Sequence, residues 1–570
     1  MNMPVSILHQ IKPVLLSVEQ LRVAFAAGEV VKGVSFEIRA GECLAIVGES
    51  GSGKSVTART LLGLAGQDAQ VSAGRLSFGD ADLRNYSERQ WRGLRGNQVG
   101  FVMQDALNAL DPLRTLGREV GEPLDLHRDL NREQRAAKVL ELLQSAGMAD
   151  AEQRIGLYPH QLSGGLRQRA LIASAIACTP QLLIADEPTT ALDAAVQAQV
   201  LELLLQLRGQ GMAMLLVSHD LALVSRLADR VAVMLNGEIV EQGPVEQILH
   251  APQHPYTRSL LAAAVAVHGQ VPSAVAATES ALRRMAAARQ HPYVLHASGL
   301  QKTYAAPDGK QRHALAGVSI GLRRGETLGI VGESGSGKTT LSRILLGLET
   351  ADSGSVHWNG QAWQSLSALQ KRQHRRRVQV VFQDTLGCFD PRYTVDRVLD
   401  EALAAAGVAR SARRQRILEL LDLVRLDAGC ISHRPIQLSG GQRQRLAIAR
   451  ALAAEPEVLV CDEPVSALDV SVQAQVLDLL ADLKQRLGLS CLFISHDLGV
   501  VRRICDQVAV MKDGLIVEHG PADELYAQPR HPYTRMLLAA QASMPHPDFL
   551  FNSITEESTG NEKESVLDAA

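Results

Sequence analysis

The chain reads as an α/β protein built from two tandem copies of one domain, each a mainly parallel sheet core with a helical subdomain. Three observations predict this. Short apolar runs alternate with helical stretches in both halves, the pattern of strands joined by crossover helices. The octapeptide Gly-Glu-Ser-Gly-Ser-Gly-Lys-Ser at Gly48–Ser55 returns as Gly-Glu-Ser-Gly-Ser-Gly-Lys-Thr at Gly332–Thr339. Matched residues also keep a nearly constant separation. It is 284 positions for Lys54 and Lys338, 279 for Gln104 and Gln383, and 276 for both Ser163/Ser439 and Asp186/Asp462. It is 277 for His219/His496 and for His254/His531. A unit of that length is a globular domain, not a solenoid repeat. The expected domains are residues 14–265 and 293–545, joined by a linker at 266–292 and followed by a polar, acidic, disordered tail at 546–570. A short helix is expected within the linker, over Glu279–Ala288.

Each octapeptide fits the phosphate-loop pattern G-x-x-x-x-G-K-[ST], whose backbone N–H groups wrap nucleotide phosphates. The fold class is therefore two tandem phosphate-loop NTPase domains. In the first copy the apolar run Cys43–Val47 is a buried strand that ends at the loop, and Ser55–Leu64 is the helix that follows. The residues expected around the nucleotide are Gly48, Glu49, Ser50, Gly51, Ser52, Gly53, Lys54 and Ser55. In the second copy they are Gly332, Glu333, Ser334, Gly335, Ser336, Gly337, Lys338 and Thr339. Lys54 and Lys338 reach the outer phosphates, and the hydroxyls of Ser55 and Thr339 ligate Mg²⁺.

A second apolar run, Leu182–Ala185, delivers Asp186-Glu187-Pro188, and Val458–Cys461 delivers Asp462-Glu463-Pro464. Adjacent carboxylates at a strand end divide the labour of phosphoryl transfer. Asp186 and Asp462 bind Mg²⁺, while Glu187 and Glu463 orient and deprotonate the attacking water. A third run, Met214–Ser218 or Leu492–Ser495, delivers His219 or His496, for which a γ-phosphate contact is the natural task. Between loop and carboxylates, 105–160 and 384–434 have helical spacing, as in Arg132–Ala146 and Ser411–Leu426. Each region closes on Leu-Ser-Gly-Gly before a helix (Arg167–Ala177; Arg443–Ala453), a second anion-binding helix start. One nucleotide does not need two such starts. Ser163, Gly164 and Gly165 are therefore expected to face the nucleotide of the second copy, and Ser439, Gly440, Gly441 and Gln442 that of the first.

At this point the chain strongly resembles the ATP-binding-cassette (ABC) ATPases over both copies, since the family's motif order is matched twice. The resemblance adds glutamine loops at Gln104 and Gln383, assigned to catalysis and to Mg²⁺, and D-loops at 191–193 and 467–469. It also makes Phe25 and Tyr304 the candidates for stacking on adenine. The segment His254-Pro255-Tyr256-Thr257-Arg258, repeated as His531-Pro532-Tyr533-Thr534-Arg535, resembles the C-terminal motif of the oligopeptide/dipeptide/nickel importer ATPases. It has no evident chemistry and reads as a packing and capping element at the start of a terminal helix. The resemblance implies an ATP- and Mg²⁺-dependent energy subunit of an importer, most readily for peptides. It implies a peripheral place on the cytoplasmic face of the cell's inner membrane, contact with that membrane only through two permease subunits, and an extracytoplasmic substrate-binding protein. An exporter subunit and a ribosome-associated twin-cassette ATPase are the alternatives. The short Ala-rich joint argues against the ribosomal one. Two departures stand out: Leu166 occupies the place that Gln442 holds in the second signature, and the tail after Tyr533 has no cysteine, so no iron–sulfur cluster is expected.

Composition bounds the rest. With 58 Lys and Arg against 61 Asp and Glu, the formal charge of −3 offers no field for nucleic acid, and none is expected as a partner. The basic run Lys371–Arg377 reads as a solvated helix face. Seven scattered cysteines without a C-x-x-C pair point to a reducing compartment. No signal-peptide pattern is read in Met1–Leu16, and no apolar stretch is long enough to span a bilayer.

Overall fold

The computed structural model describes residues 12–26, 28–104, 109–148, 150–190, 192–268, 293–305, 311–466 and 468–542. The chain divides into two compact units, with the boundary between Ala262 and Ala263. Each unit contains the same two sheets. In the first, an antiparallel sheet pairs Val14–Phe25 with Gly28–Arg39 on one side and with Arg75–Phe78 on the other. A six-stranded sheet has the order Glu238–Pro244, Arg230–Leu235, Cys43–Val47, Ala213–Val217, Leu182–Asp186 and Val99–Val102. All its pairs are parallel except the first. The second unit repeats this order with Leu515–Pro521, Gln507–Lys512, Thr327–Val331, Ser490–Ser495, Val458–Asp462 and Val378–Val381.

The central strands are continuous apolar runs because both sheet faces are covered. Side chains alternate between two cores, as the two-residue period of a strand requires. Cys43, Ala45, Val47, Leu183, Ala185, Met214 and Leu216 join the core under the helical region. Their neighbours Leu44, Ile46, Leu182, Ile184, Leu215 and Val217 join the core under the antiparallel sheet. The second unit divides the same way, with Leu459, Cys461 and Phe493 on one side and Val458, Val460 and Leu492 on the other. No helix among the described residues is long and apolar enough to cross a membrane.

The strands lie where the apolar runs place them, to within two residues. Helix ends differ more. The helix after the phosphate loop runs over Lys54–Thr60, not to Leu64. Gly63, at φ +65°, ends it, and the Leu64 N–H closes a six-residue return onto the Arg59 carbonyl (2.9 Å). The signature helices start earlier than expected, at Gly164 and Gly440, so both glycines lie inside the first turn and Ser163 or Ser439 is the N-cap. The helix Pro255–His268 runs across that boundary and past the expected domain end at 265. Most of the expected linker, its short helix and the tail fall outside the described residues, as do Ala191 and Ala467 of the D-loops.

Candidate active site

The phosphate loop begins where a central strand ends, and its shape depends on glycine. A Cβ on Gly48 (φ +150°) would lie 2.1 Å from the Met234 carbonyl oxygen, and one on Gly332 (φ +156°) would lie 2.2 Å from that of Met511. Gly53 and Gly337 cap the following helices in the left-handed conformation, at φ +99° and +103°. Lys54 Nζ donates to the carbonyls of Gly48 and Glu49, both at 2.8 Å. Lys338 repeats this on Gly332 (2.7 Å) and Glu333 (2.8 Å). The lysines are thus held over the loop itself, and burial lowers the pKa of the Lys338 ammonium. The hydroxyls of Ser52 and Ser336 are buried inside the loop and make no hydrogen bond, which fits a site built for phosphate oxygens.

Asp186 is fully buried at the end of its strand, where its Oδ1 accepts a 2.8 Å hydrogen bond from the Ser55 hydroxyl. Its Oδ2 is buried and accepts none. Burial pushes this carboxyl above its ordinary range against the pull of Ser55. Asp462 is raised likewise by burial, then by the charge of Glu463. A hydroxyl beside a buried acid with an unused oxygen is a donor set that fits a hard cation such as Mg²⁺.

Glu187 and Glu463 have an unusual backbone, with φ of +49° and +48°. Their N–H groups turn back onto the neighbouring strand, to Val217 O (2.8 Å) and Ile494 O (2.9 Å). The turn carries the side chain off the strand axis, between the glutamine loop and the histidine. Gln104 Nε2 donates to Glu187 Oε2, and Gln383 Nε2 to Glu463 Oε2, both at 2.7 Å. His219 Nδ1 is 3.4 Å from Glu187 Oε1, and His496 Nδ1 is 3.3 Å from Glu463 Oε1. Burial raises each glutamate, but the histidine's hydrogen bond and charge outweigh it and hold the carboxyl below its ordinary range. Each imidazole, lowered by burial, is raised on balance by its glutamate. Sequence reasoning missed Thr190, whose hydroxyl donates to Glu187 Oε2 (3.0 Å). Its place three residues after the glutamate, in a turn, was the available signal.

The structure therefore brings together, in each unit, the loop lysine, the Ser/Thr hydroxyl position, the Asp–Glu pair, the glutamine and the histidine. The second signature differs from the first in detail. Ser439 Oγ accepts from Gln442 N (3.3 Å), and Gln442 Oε1 accepts from Ser439 N (2.9 Å), a closed capping box. Leu166 makes no such box and packs against the apolar core. Gly165 and Gly441 are needed for packing, since a Cβ would lie 2.4 Å from Val196 Cγ1 or 2.3 Å from Val472 Cγ1. Phe25 lies half-buried against the core, while Tyr304 is exposed, donates to Glu349 and lies 5.7 Å from the Lys302 ammonium.

Two phosphate loops with duplicated Asp–Glu pairs, glutamines and histidines define a twin ATPase, and the chain belongs to the ABC transporter family. The family's model matches residues 31–190 and 315–466. A model described as the oligopeptide/dipeptide transporter C-terminal region matches 240–286 and 517–565. Among curated relatives, the chain is 45% identical over 540 residues to the peptidoglycan transport ATP-binding protein YejF of Agrobacterium fabrum, covering 92% of this chain and 96% of the relative. It is 42% identical over 556 residues to the glutathione import ATP-binding protein GsiA of Salmonella typhimurium, covering 92% and 89%. It is 43% identical over 535 residues to an uncharacterized ABC transporter ATP-binding protein, YejF, of Escherichia coli K12, covering 92% and 99%. The chain binds and hydrolyses ATP.

Proposed function

We propose that this ATPase powers an importer for peptides or peptide-like compounds such as glutathione or peptidoglycan fragments, acting on two separate membrane permeases at the cytoplasmic face of the membrane. The observation that carries the reading is the doubled His-Pro-Tyr-Thr-Arg segment, which falls within both matches to the oligopeptide/dipeptide transporter region. The names of the curated relatives support the same substrate class. A substrate-binding protein outside the membrane would select the cargo.

The proposed chemistry assigns Glu187 and Glu463 as general bases. Each carboxyl lies below its ordinary range and is therefore ionised at neutral pH, the form that accepts a proton from water. Gln104 and Gln383 hold that carboxylate in place, and His219 and His496 would turn toward the γ-phosphate. Lys54 and Lys338 would exchange loop carbonyls for the outer phosphates. Ser55 and Asp186, or Thr339 and Asp462, with the glutamine amide oxygens, would hold Mg²⁺, which would neutralise charge on the phosphates. Phe25 and Tyr304 are the proposed adenine contacts. We also propose that each Ser-Gly-Gly start serves the nucleotide bound by the other copy.

Replacing Glu187 and Glu463 together by glutamine should leave ATP binding intact and slow turnover by roughly two to four orders of magnitude. Near-normal hydrolysis would refute the assigned bases. For the substrate class, a deletion strain should lose growth on defined peptides and regain it with the intact gene. Unimpaired uptake of every peptide would refute peptide import.

A further inference from the structure

The His-Pro-Tyr-Thr-Arg segment takes no part in the site described above, yet in both units it ends on the phosphate loop. The N–H of Glu49 donates to the Tyr256 hydroxyl at 3.0 Å, and the N–H of Glu333 to the Tyr533 hydroxyl at 3.0 Å. These contacts bridge 207 and 200 positions of sequence. The Gly48 carbonyl and the Glu49 N–H belong to one planar peptide group. Lys54 grips its oxygen at 2.8 Å and Tyr256 its hydrogen, so the plane is pinned at both ends. Lys338 and Tyr533 do the same for the plane between Gly332 and Glu333.

The remaining letters of the motif hold the tyrosine. The Glu241 carboxylate accepts the N–H groups of Gln253 (2.7 Å) and His254 (3.1 Å), and Glu518 accepts those of Arg530 (2.8 Å) and His531 (3.0 Å). The tyrosine's own N–H donates to the histidine Nδ1, at 3.2 Å on His254 and 3.1 Å on His531. That ring nitrogen is therefore an acceptor in both units. Proline occupies the first position of each helix, Pro255–His268 and Pro532–Ala542, where no N–H is needed. The arginine Nε closes the turn onto Pro252 O (3.0 Å) or Pro529 O (3.1 Å).

We propose that Tyr256 and Tyr533 are positioning residues for ATP binding. Each keeps the first peptide of its phosphate loop oriented when the lysine leaves the loop carbonyls for the phosphates. With the lysine on its own loop, both the carbonyl and the N–H of the plane are held; with the lysine on ATP, the tyrosine still holds the N–H. The tyrosine is therefore felt in nucleotide affinity more than in the stability of the nucleotide-free protein. Tyr533 is buried (3% exposed) with the Lys512 ammonium 4.8 Å from its ring, whereas Tyr256 is half-buried.

The test uses the full chain carrying Tyr256→Phe, Tyr533→Phe and both, with ATPase kinetics and nucleotide-free melting measured together. The double variant should raise KM for ATP roughly three- to tenfold, the effect of one lost hydrogen bond per site, with kcat within about twofold. Its melting temperature without nucleotide should stay within about two degrees. An unchanged KM overturns the proposal. So does a KM rise that comes with a matching fall in nucleotide-free melting temperature, which would mark a packing role alone. Should the double variant fold poorly, Tyr256→Phe alone, at the half-buried position, is read by the same criteria.

Discussion

At the scale of single residues, the carboxylate proposed as the base and its histidine form a pair, and their opposite shifts give a defined pH window. Glu187 and Glu463 lie below the ordinary value of 4.5, so their contribution to stability is present above that pH and lost as pH falls through the lowered value. His219 and His496 lie above the ordinary 6.5, so their contribution is complete below 6.5 and lost as pH rises through the raised value. The pair is worth most between these limits. A double variant, His219→Ala with His496→Ala, should be destabilised by about 1–3 kcal/mol relative to the parent near pH 5.5. The difference should narrow as pH climbs past the imidazolium pKa. Melting curves of both proteins across pH 4.5–9 check this. A gap that widens with pH would contradict the ion pair. The left-handed backbone of both glutamates adds a cost that a β-type residue would not bear, and it recurs in both units at nearly the same φ. That recurrence ties the strain to the placement of the carboxylate between Gln and His.

At the scale of elements, the two signature helices show how one side chain changes a helix start. Ser439 and Gln442 satisfy each other's backbone donors, whereas the first signature has Leu166 where the reciprocal partner would be. Gln442→Leu should therefore cost about 0.5–1 kcal/mol, because Gln442 is exposed and no apolar burial offsets the lost box. Urea unfolding of the full chain with the substitution measures it, and an unchanged midpoint would show that the box contributes nothing. Elements set by local chemistry were legible in the sequence: strands as apolar runs, the phosphate loops as glycine patterns, the Asp–Glu pairs at strand ends. The lengths of helices were less so. The helix after Lys54 stops at Thr60 because Gly63 can adopt a left-handed turn, a choice that apolar periodicity does not report. The bonds from Tyr256 and Tyr533 to the loops were not legible at all, since residues some 200 positions apart meet only through the fold. The repeat of the motif in both halves marked it as important without saying what it touches.

At the scale of the whole molecule, the question is why the chain carries its site twice. Each unit has its own pair of cores, one on each face of its parallel sheet, and its own set of lysine, hydroxyl, Asp–Glu pair, glutamine and histidine. Each also has a Ser-Gly-Gly helix start, an anion-binding group beyond what its own loop already supplies. If those starts serve the partner nucleotide, as proposed, a single unit binds ATP with its loop but lacks donors for the charge that develops on the transferring phosphoryl group. Losing such preorganised donors costs roughly 10²–10³ in rate. The first unit expressed alone, kept dilute and verified as monomeric, should therefore bind ATP while hydrolysing it at about 1% or less of the rate of the intact chain. Mixing it with the second unit at high concentration should restore activity with a second-order dependence on protein. A monomeric unit that turned over ATP at the full rate would show that each site is complete by itself. The duplication would then have to be explained by the permeases it is proposed to drive.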